Sequence, residues 1–424
     1  MPNFTGRIDV MAWLPDQTSP VLAGQITLET ASTRLLYDTG YLSRSNAVSV
    51  YGRDMGIHSG SLDDKRSDIL PAPIQDTLPE SWGRRVLAAS LYSPDGELVP
   101  AEELSDASLL LSPGSDRIGA LSYHISGQTP HAHDAEAIEL DQLMAGADHV
   151  ERGEMIPPDM RHMIAPLSSV GGSRPKALYT DASGRKYIAK FGSLGDSYPI
   201  LRGEYIAMRL ADLAGIDVTS VKLVKVGSRP VLLVERFDRV EVQQNEWARK
   251  SIVSARNWRR KNVARAGQIS YVELADNIRA NFDDATAAQE ELFKRLVFNI
   301  LVGNTDDHAG NHAAFWDGRT LKLTPAYDIT PQRRTFSEAN QALPFTGGSR
   351  SAKLTNAASI APAFGITSAR FGQIMHELVG TIVDHWNDIC DEANLSRNER
   401  HRFDGNQFLN AYAFSGYGRP PILT

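Results

Sequence analysis

Gly303-Asn-Thr-Asp306-Asp307-His308-Ala-Gly-Asn311, followed by Leu323-Thr-Pro-Ala-Tyr327-Asp328-Ile-Thr-Pro331, is the stretch on which the reading of this sequence turns. Upstream of it, Leu292, Phe293, Leu296, Val297, Ile300 and Leu301 recur at the 3.6-residue period of a helix, which Gly303 is placed to end. The loop after Gly303 carries an aspartate and, five residues later, an asparagine. A turn at Asp317-Gly318 predicts a short hairpin that delivers the chain to a second aspartate, Asp328.

Aspartate and asparagine are common in turns, and one such residue would carry no chemistry. Three of them in a helix–loop–hairpin frame match what phosphoryl transfer requires. One carboxylate orients the attacking hydroxyl and takes its proton, while an asparagine and a second aspartate hold Mg²⁺ against the phosphates. The Asp-x-x-x-x-Asn spacing, with a metal-binding Asp beyond the next strand, is that of protein-kinase catalytic and metal loops. His308 and His312 also have the i, i+4 spacing of zinc ligands. They fall in a glycine-containing loop without an evident third ligand, which disfavours zinc.

Working outward, Ser168-Ser169-Val170-Gly171-Gly172-Ser173-Arg174-Pro-Lys176 reads as a Gly/Ser loop whose backbone N–H groups can approach phosphate oxygens. Leu178 to Lys190 reads as a hairpin around Asp181–Gly184, ending in a lysine suited to ATP phosphates. An amphipathic helix over 200–214 carries Glu204, a candidate partner for Lys190. Val231-Leu-Leu-Val-Glu235-Arg236-Phe237-Asp238-Arg239 is an apolar strand ending abruptly in polar residues. That end could offer backbone groups to an adenine edge with Phe237 against the ring, or be a solvated run of charge. After Arg239 the pattern turns mostly helical, with a second stripe at Ile374, Met375, Leu378, Val379, Ile382 and Trp386.

The expected fold is α/β (α+β): bilobal and protein-kinase-like, with a β-rich N-terminal subdomain and a mostly helical C-terminal lobe. Residues 1–123 form the β-rich subdomain, with a helical patch at Leu78–Leu87. Residues 124–165 form a linker with a short helix, containing His124, His131 and His133. Residues 166–240 form a small lobe with the Gly-rich loop and hinge, and 241–424 the helical lobe with the catalytic and metal loops.

Composition agrees with a folded, multidomain chain: 424 residues, 42% hydrophobic and 22% charged. Lys+Arg number 44 and Asp+Glu 51, a net charge of −7, which excludes a globally basic nucleic-acid binder. The lone Cys390 excludes a disulfide framework and points to a reducing cytoplasm. No run approaches the ~20 apolar residues of a membrane span, and the N-terminus lacks the pattern of a secretion signal. Against this background, residues 249–265 carry seven Lys/Arg and no acid, interleaved with Trp258 and preceded by Trp247. They read as a surface for an acidic protein, RNA or operator DNA, or as a solvated basic helix.

Together these segments resemble the HipA family of bacterial Ser/Thr protein kinases, the toxin half of a type II toxin–antitoxin pair. Tyr37-Asp38-x-x-Tyr41-Leu42, Leu78-Pro79-Glu80-Ser81 and Asp116-Arg-Ile-Gly119-Ala-Leu121 are similar to the family's N-terminal subdomain. Ser169 to Lys176, Lys190, Val234-Glu-Arg-Phe-Asp-Arg239, Asn304 to Asn311 and Tyr327-Asp328 are similar to its kinase core. The resemblance implies Asp306 as catalytic base and Asn311 and Asp328 as Mg²⁺ ligands. It implies ATP binding by the loop Ser169, Val170, Gly171 and Gly172 and by Lys176 and Lys190. His308, Asn311 and Asp328 would lie near the phosphates, Glu235 and Phe237 at the adenine hinge, and Tyr327 in the pocket wall. Ser169, or Ser168 beside it, would be the autophosphorylated serine. The implied cofactors are ATP and Mg²⁺. The implied target is an aminoacyl-tRNA synthetase, whose phosphorylation blocks translation and promotes dormancy or persistence. The implied partner is a HipB-like helix-turn-helix antitoxin, with operator DNA reached only through or alongside it and no membrane involved. The alternatives are an antibiotic-type small-molecule phosphotransferase and a non-catalytic nucleotide-binding co-repressor.

Overall fold

The computed structural model describes residues 6–29, 32–50, 61–62, 70, 72–91, 99–128, 138–258, 269–334 and 338–423. The chain is a mixed α/β protein that divides into two compact units. One comprises residues 1–195, 226–253 and 315–319, the other residues 196–225, 254–314 and 320–424.

The first unit contains a five-stranded antiparallel sheet. Its strands run in the order Ser61–Leu62, Ser32–Tyr37, Val21–Glu29, Gly6–Ala12, Leu121–Ile125. Alternation puts Ile8, Val10 and Ala12 on the core face, where Ile8 lies opposite both Ile26 and Ile125. Tyr37, Tyr41, Ile74 and Tyr123 complete that core. The helical patch begins later than its proline suggests: the helix is Ser81–Ala88, with Leu78-Pro79-Glu80 leading into it. Trp82, Val86 and Leu87 are its buried face. The linker is more structured than expected, with a helix over Leu140–Glu151 and a turn-and-helix over Pro158–Met163 and Ile164–Ser168. His131 and His133 lie outside the described residues.

The hairpin after the Gly-rich loop forms as read, with strands Lys176–Thr180 and Lys186–Phe191. Lys186–Phe191 also pairs antiparallel with Arg229–Glu235, with Ala189 opposite both Ala177 and Leu233. Beyond Arg239 the chain does not turn helical at once. It continues as the strand pair Arg239–Gln243 and Glu246–Arg249, then the strand Ser251–Ser254. The physical reason lies in the polar end of the 231–239 segment, which is not a solvated charge run. Arg236, Asp238 and Arg239 are buried at 5%, 2% and 7% exposure, holding the chain inside the unit at this point.

The second unit is helical. Ala285–Val302 carries the expected stripe, with Leu292, Phe293, Leu296, Val297, Ile300 and Leu301 all buried. It packs on Tyr271–Asn281 and on Ser368–Glu392, whose stripe buries Ile374, Met375, Leu378, Ile382 and Trp386 but leaves Val379 half-buried. Phe293 meets Phe364 at 5.3 Å, and Trp386 meets Phe408 at 4.8 Å. Cys390 is a core residue whose thiol pKa burial pushes up to about 12, which makes it unreactive. Among the described residues no helix is long and apolar enough to cross a membrane.

Candidate active site

The second unit brings the Asp–Asn–Asp set together. The helix Ala285–Val302 stops at Gly303, which takes φ +71°, a left-handed conformation that only glycine adopts without penalty. There is no room for a side chain either, since a Cβ would lie 2.8 Å from the Gln407 carbonyl oxygen. The loop then leaves the helix and is pinned by Asp307, not by Asp306. Asp307 is buried, accepts a hydrogen bond from the Tyr271 hydroxyl, and lies 3.1 Å from His312 Nε2. Burial pushes its pKa up, but His312, Tyr271 and Asn299 outweigh this and hold it below the usual carboxylate value.

With Asp307 turned inward, its neighbour Asp306 is left exposed. Partial desolvation by the surrounding protein raises the Asp306 pKa most; His308 opposes it, and the Asp328 and Asp307 carboxylates add to the rise. Asn311 Nδ2 donates to the Asp306 carbonyl oxygen at 3.3 Å. His308 Nδ1 accepts from the Gly310 N–H at 3.1 Å. The Tyr327 hydroxyl donates to the Gly310 carbonyl at 2.7 Å, tying the second loop to the first. That second loop is placed by backbone pairing: Thr219 N–H to Ala326 O at 3.0 Å and Ala326 N–H to Asp217 O at 2.7 Å. Asp328 itself has φ +59°, strained for a residue with a side chain and of the kind that recurs at functional loops.

The first unit assembles the remaining candidates. Val170 is buried under the Gly-rich loop. Lys176 and Lys190 are directly opposite partners across the hairpin, so both side chains leave the same face. Lys176 Nζ donates to the Gly171 carbonyl at 2.8 Å. The Ser169 hydroxyl is turned inward, at hydrogen-bonding distance from the Pro113 and Ala165 carbonyls (2.6 and 2.7 Å). Ser168 is buried as well. Gly172 takes φ +94°. At the strand end, Glu235 lies opposite Tyr187 with Arg185 at 3.9 Å, and Phe237 meets the Phe315 ring edge-on at 5.9 Å.

Several residues of these loops were invisible to sequence reasoning. Asp307, Tyr271 and His312 form the anchor under the loop that carries Asp306. His312 belongs to this anchor through Asp307. Arg256 packs so closely on Gly310 that a Cβ there would meet its guanidinium at 2.4 Å. The basic stretch is also not a uniform surface. Trp258 is a core residue packed on Phe282 at 5.2 Å, and Arg249 lies over Trp13 at 3.5 Å while donating to the Ser115 carbonyl. Residues 259–265 of the stretch lie outside the described residues. The only signal for these roles was the proximity of Asp307 and His312 to Asp306 and Asn311 in the chain.

Asn311 and Asp328 are hard oxygen donors, and two protein ligands completed by phosphate and water oxygens are the habit of Mg²⁺, so the donor set fits that ion.

The HipA N-terminal domain family matches residues 17–124, and the HipA-like C-terminal domain family matches residues 168–386. A Shewanella oneidensis protein named serine/threonine-protein kinase toxin HipA is 26% identical over 277 residues, which is 59% of this chain and 60% of that protein. A Haemophilus influenzae protein named putative kinase is 28% identical over 163 residues, 35% of this chain and 47% of that one. The matched region therefore spans no more than about 60% of the length of these curated relatives. A solved Shewanella oneidensis complex of HipA, HipB and operator DNA is similar in fold, with TM-score 0.66 at 19% identity over 93% of this chain and 95% of that chain.

Proposed function

The chain belongs to the HipA family, and from that premise we propose that it is a Mg²⁺/ATP-dependent kinase acting on protein Ser/Thr hydroxyls. The observation that carries the reading is the grouping of Asp306, Asn311 and Asp328 on two loops tied through Gly310.

In this reading Asp306 accepts the proton of the acceptor hydroxyl as its oxygen bonds to the γ-phosphorus and ADP departs. Its exposure lets an incoming side chain reach it, and its raised pKa makes it a better base than an ordinary carboxylate. Asn311 and Asp328 are the residues that would hold Mg²⁺, which when bound neutralises charge on the phosphates. Lys176 and Lys190 leave the same face of a hairpin, and in this reading they supply positive charge to the ATP phosphates. Glu235 and Phe237 serve the adenine, and Tyr327 and His308 hold the loops around the reacting groups.

The same reading extends to the biological role. We assign the chain to a toxin–antitoxin pair with a HipB-like DNA-binding antitoxin, in a reducing cytoplasm. Its target is a translation enzyme of the aminoacyl-tRNA synthetase class, and dormancy is the outcome. Ser169 is the self-modified serine; transfer to it requires its hydroxyl to leave the Pro113 and Ala165 carbonyls.

Asp306→Asn removes the base and keeps the size. Incorporation of labelled phosphate from ATP should fall on the order of 10²–10⁴-fold. Incorporation at the wild-type rate would overturn the assignment. A phosphoproteomic comparison of cells expressing wild type and Asp328→Ala identifies the target.

A further inference from the structure

The Gly-rich loop is gripped by a helix from the N-terminal subdomain, and the grip converges on one residue. Glu80 is the residue before the helix Ser81–Ala88, where a side-chain oxygen normally caps the helix's own free N–H groups. Glu80 makes no such cap. Its carboxylate instead accepts the N–H of Gly172, 92 residues away. The helix returns the contact, because the Trp82 backbone N–H, one of those free groups, donates to the Gly172 carbonyl at 2.8 Å. Both backbone groups of Gly172 are thus held by two residues of one helix start.

Three further contacts extend the grip. The Trp82 indole N–H donates to the Lys176 carbonyl at 2.8 Å, and the Arg85 guanidinium donates to the Ser173 carbonyl at 2.8 Å. Glu80 Oε2 also lies so near Gly171 that a Cβ there would approach it to 3.0 Å. The loop has no regular secondary structure between Ser169 and Pro175, and Gly172 is in a conformation most residues avoid. Contacts from side chains select its shape, and the hydrogen bond from Gly172 to a charged carboxylate is one of the strong ones, alongside those of Arg85 and Lys176 to loop carbonyls.

We propose that Glu80 is a positioning residue for nucleotide binding: by holding the Gly172 N–H it fixes the Gly-rich loop, and with it Lys176, in the conformation that receives the phosphates. This deepens the kinase reading and rests on it for the ligand, but the positioning of the loop is measurable without any ligand.

The experiment compares wild type, Glu80→Ala and Glu80→Gln in the full-length chain, each first checked for an unchanged thermal unfolding profile. Two quantities are read: hydrogen exchange of the peptide spanning 170–175 without nucleotide, and the Kd of a fluorescent ATP analogue with Mg²⁺. In Glu80→Ala, exchange in that peptide should quicken and Kd should rise roughly tenfold, the scale of one charge-assisted hydrogen bond. Glu80→Gln keeps an acceptor oxygen and should restore most of both. If Glu80→Ala unfolds, Trp82→Phe, which removes only the indole donor to Lys176, should quicken exchange in the same peptide. Unchanged exchange in Glu80→Ala overturns the proposal. So does tighter nucleotide binding in that variant, which would make the carboxylate a competitor of phosphate, and so does a Glu80→Gln variant as impaired as Glu80→Ala. A wild-type chain that binds no nucleotide contradicts the kinase reading, while the exchange comparison still decides the role of Glu80.

Discussion

Asp306 and Asp307 are neighbours with opposite fates. One faces solvent with a raised pKa; the other is buried with a lowered one. The difference is made by partners: Tyr271 and His312 converge on Asp307 and outweigh its desolvation, whereas the effect of His308 on Asp306 does not. The inward anchor makes the outward group usable, because it fixes the backbone that carries both. Tyr271→Phe takes one donor from a buried carboxylate and should cost about 1–3 kcal/mol of stability. A lowered unfolding temperature measures this, and phosphotransfer should fall with it even though Tyr271 touches no substrate. An unchanged unfolding temperature would mean that Tyr271 does not support the loop.

At the scale of elements, the loop that carries Asp306 depends on how one helix ends. Ala285–Val302 was readable from its stripe, and its stop at Gly303 from the glycine itself. What the stripe does not contain is the Gln407 carbonyl packed against Gly303, more than a hundred residues along the chain. Gly303→Ala should cost more than the ~1–2 kcal/mol of a left-handed residue alone, because the backbone must also move away from Gln407. Denaturant unfolding tests this; a loss under about 0.5 kcal/mol would show that the helix end relaxes freely. The segment over 231–239 teaches the converse. Its apolar half was legible by pattern, but its charged end looked equally fit for solvent, because a run of Arg and Asp carries no period that tells inside from outside.

Across the first unit, that charged end is where the N-terminal subdomain and the Gly-loop sheet are joined. Arg236 lies 3.0 Å from Asp116, Arg239 2.7 Å from the same carboxylate, and the Gly119 N–H donates to Asp238 at 2.8 Å. Arg236 and Arg239 both also grip Asp238, at 2.9 and 2.8 Å. Burial alone would raise the Asp238 pKa, but Arg236 and Arg239 outweigh it and hold it down. Asp238→Asn leaves two buried guanidinium groups to share the single Asp116 carboxylate and should cost roughly 3–5 kcal/mol. Asp212→Asn, at an exposed pair with Arg209, should cost under about 1 kcal/mol and serves as control. Because the Asp238 pKa is lower folded than unfolded, its stabilisation is complete above about pH 4 and is lost as pH falls through the lowered value. Wild type should therefore weaken steeply below pH 4 in acid unfolding scans, and Asp238→Asn should show a shallower acid dependence. Parallel curves would place the acid sensitivity elsewhere.

The sequence by itself determined the candidate residues and their local frames: Asp306, Asn311 and Asp328 at their spacing, the glycine that ends the helix, the hairpin that ends near Lys190. Each of these is encoded within a few turns or one hairpin, where periodicity and turn residues act directly. Tertiary structure alone decided which of two adjacent aspartates points out, that Arg236, Asp238 and Arg239 are buried, that Trp258 is core, and that Glu80 reaches Gly172. Those outcomes depend largely on partners far along the chain, from 24 residues for Trp258 and Phe282 to 123 for Arg239 and Asp116, and on the requirement that a charge leaving water find its counterpart, which no local pattern records.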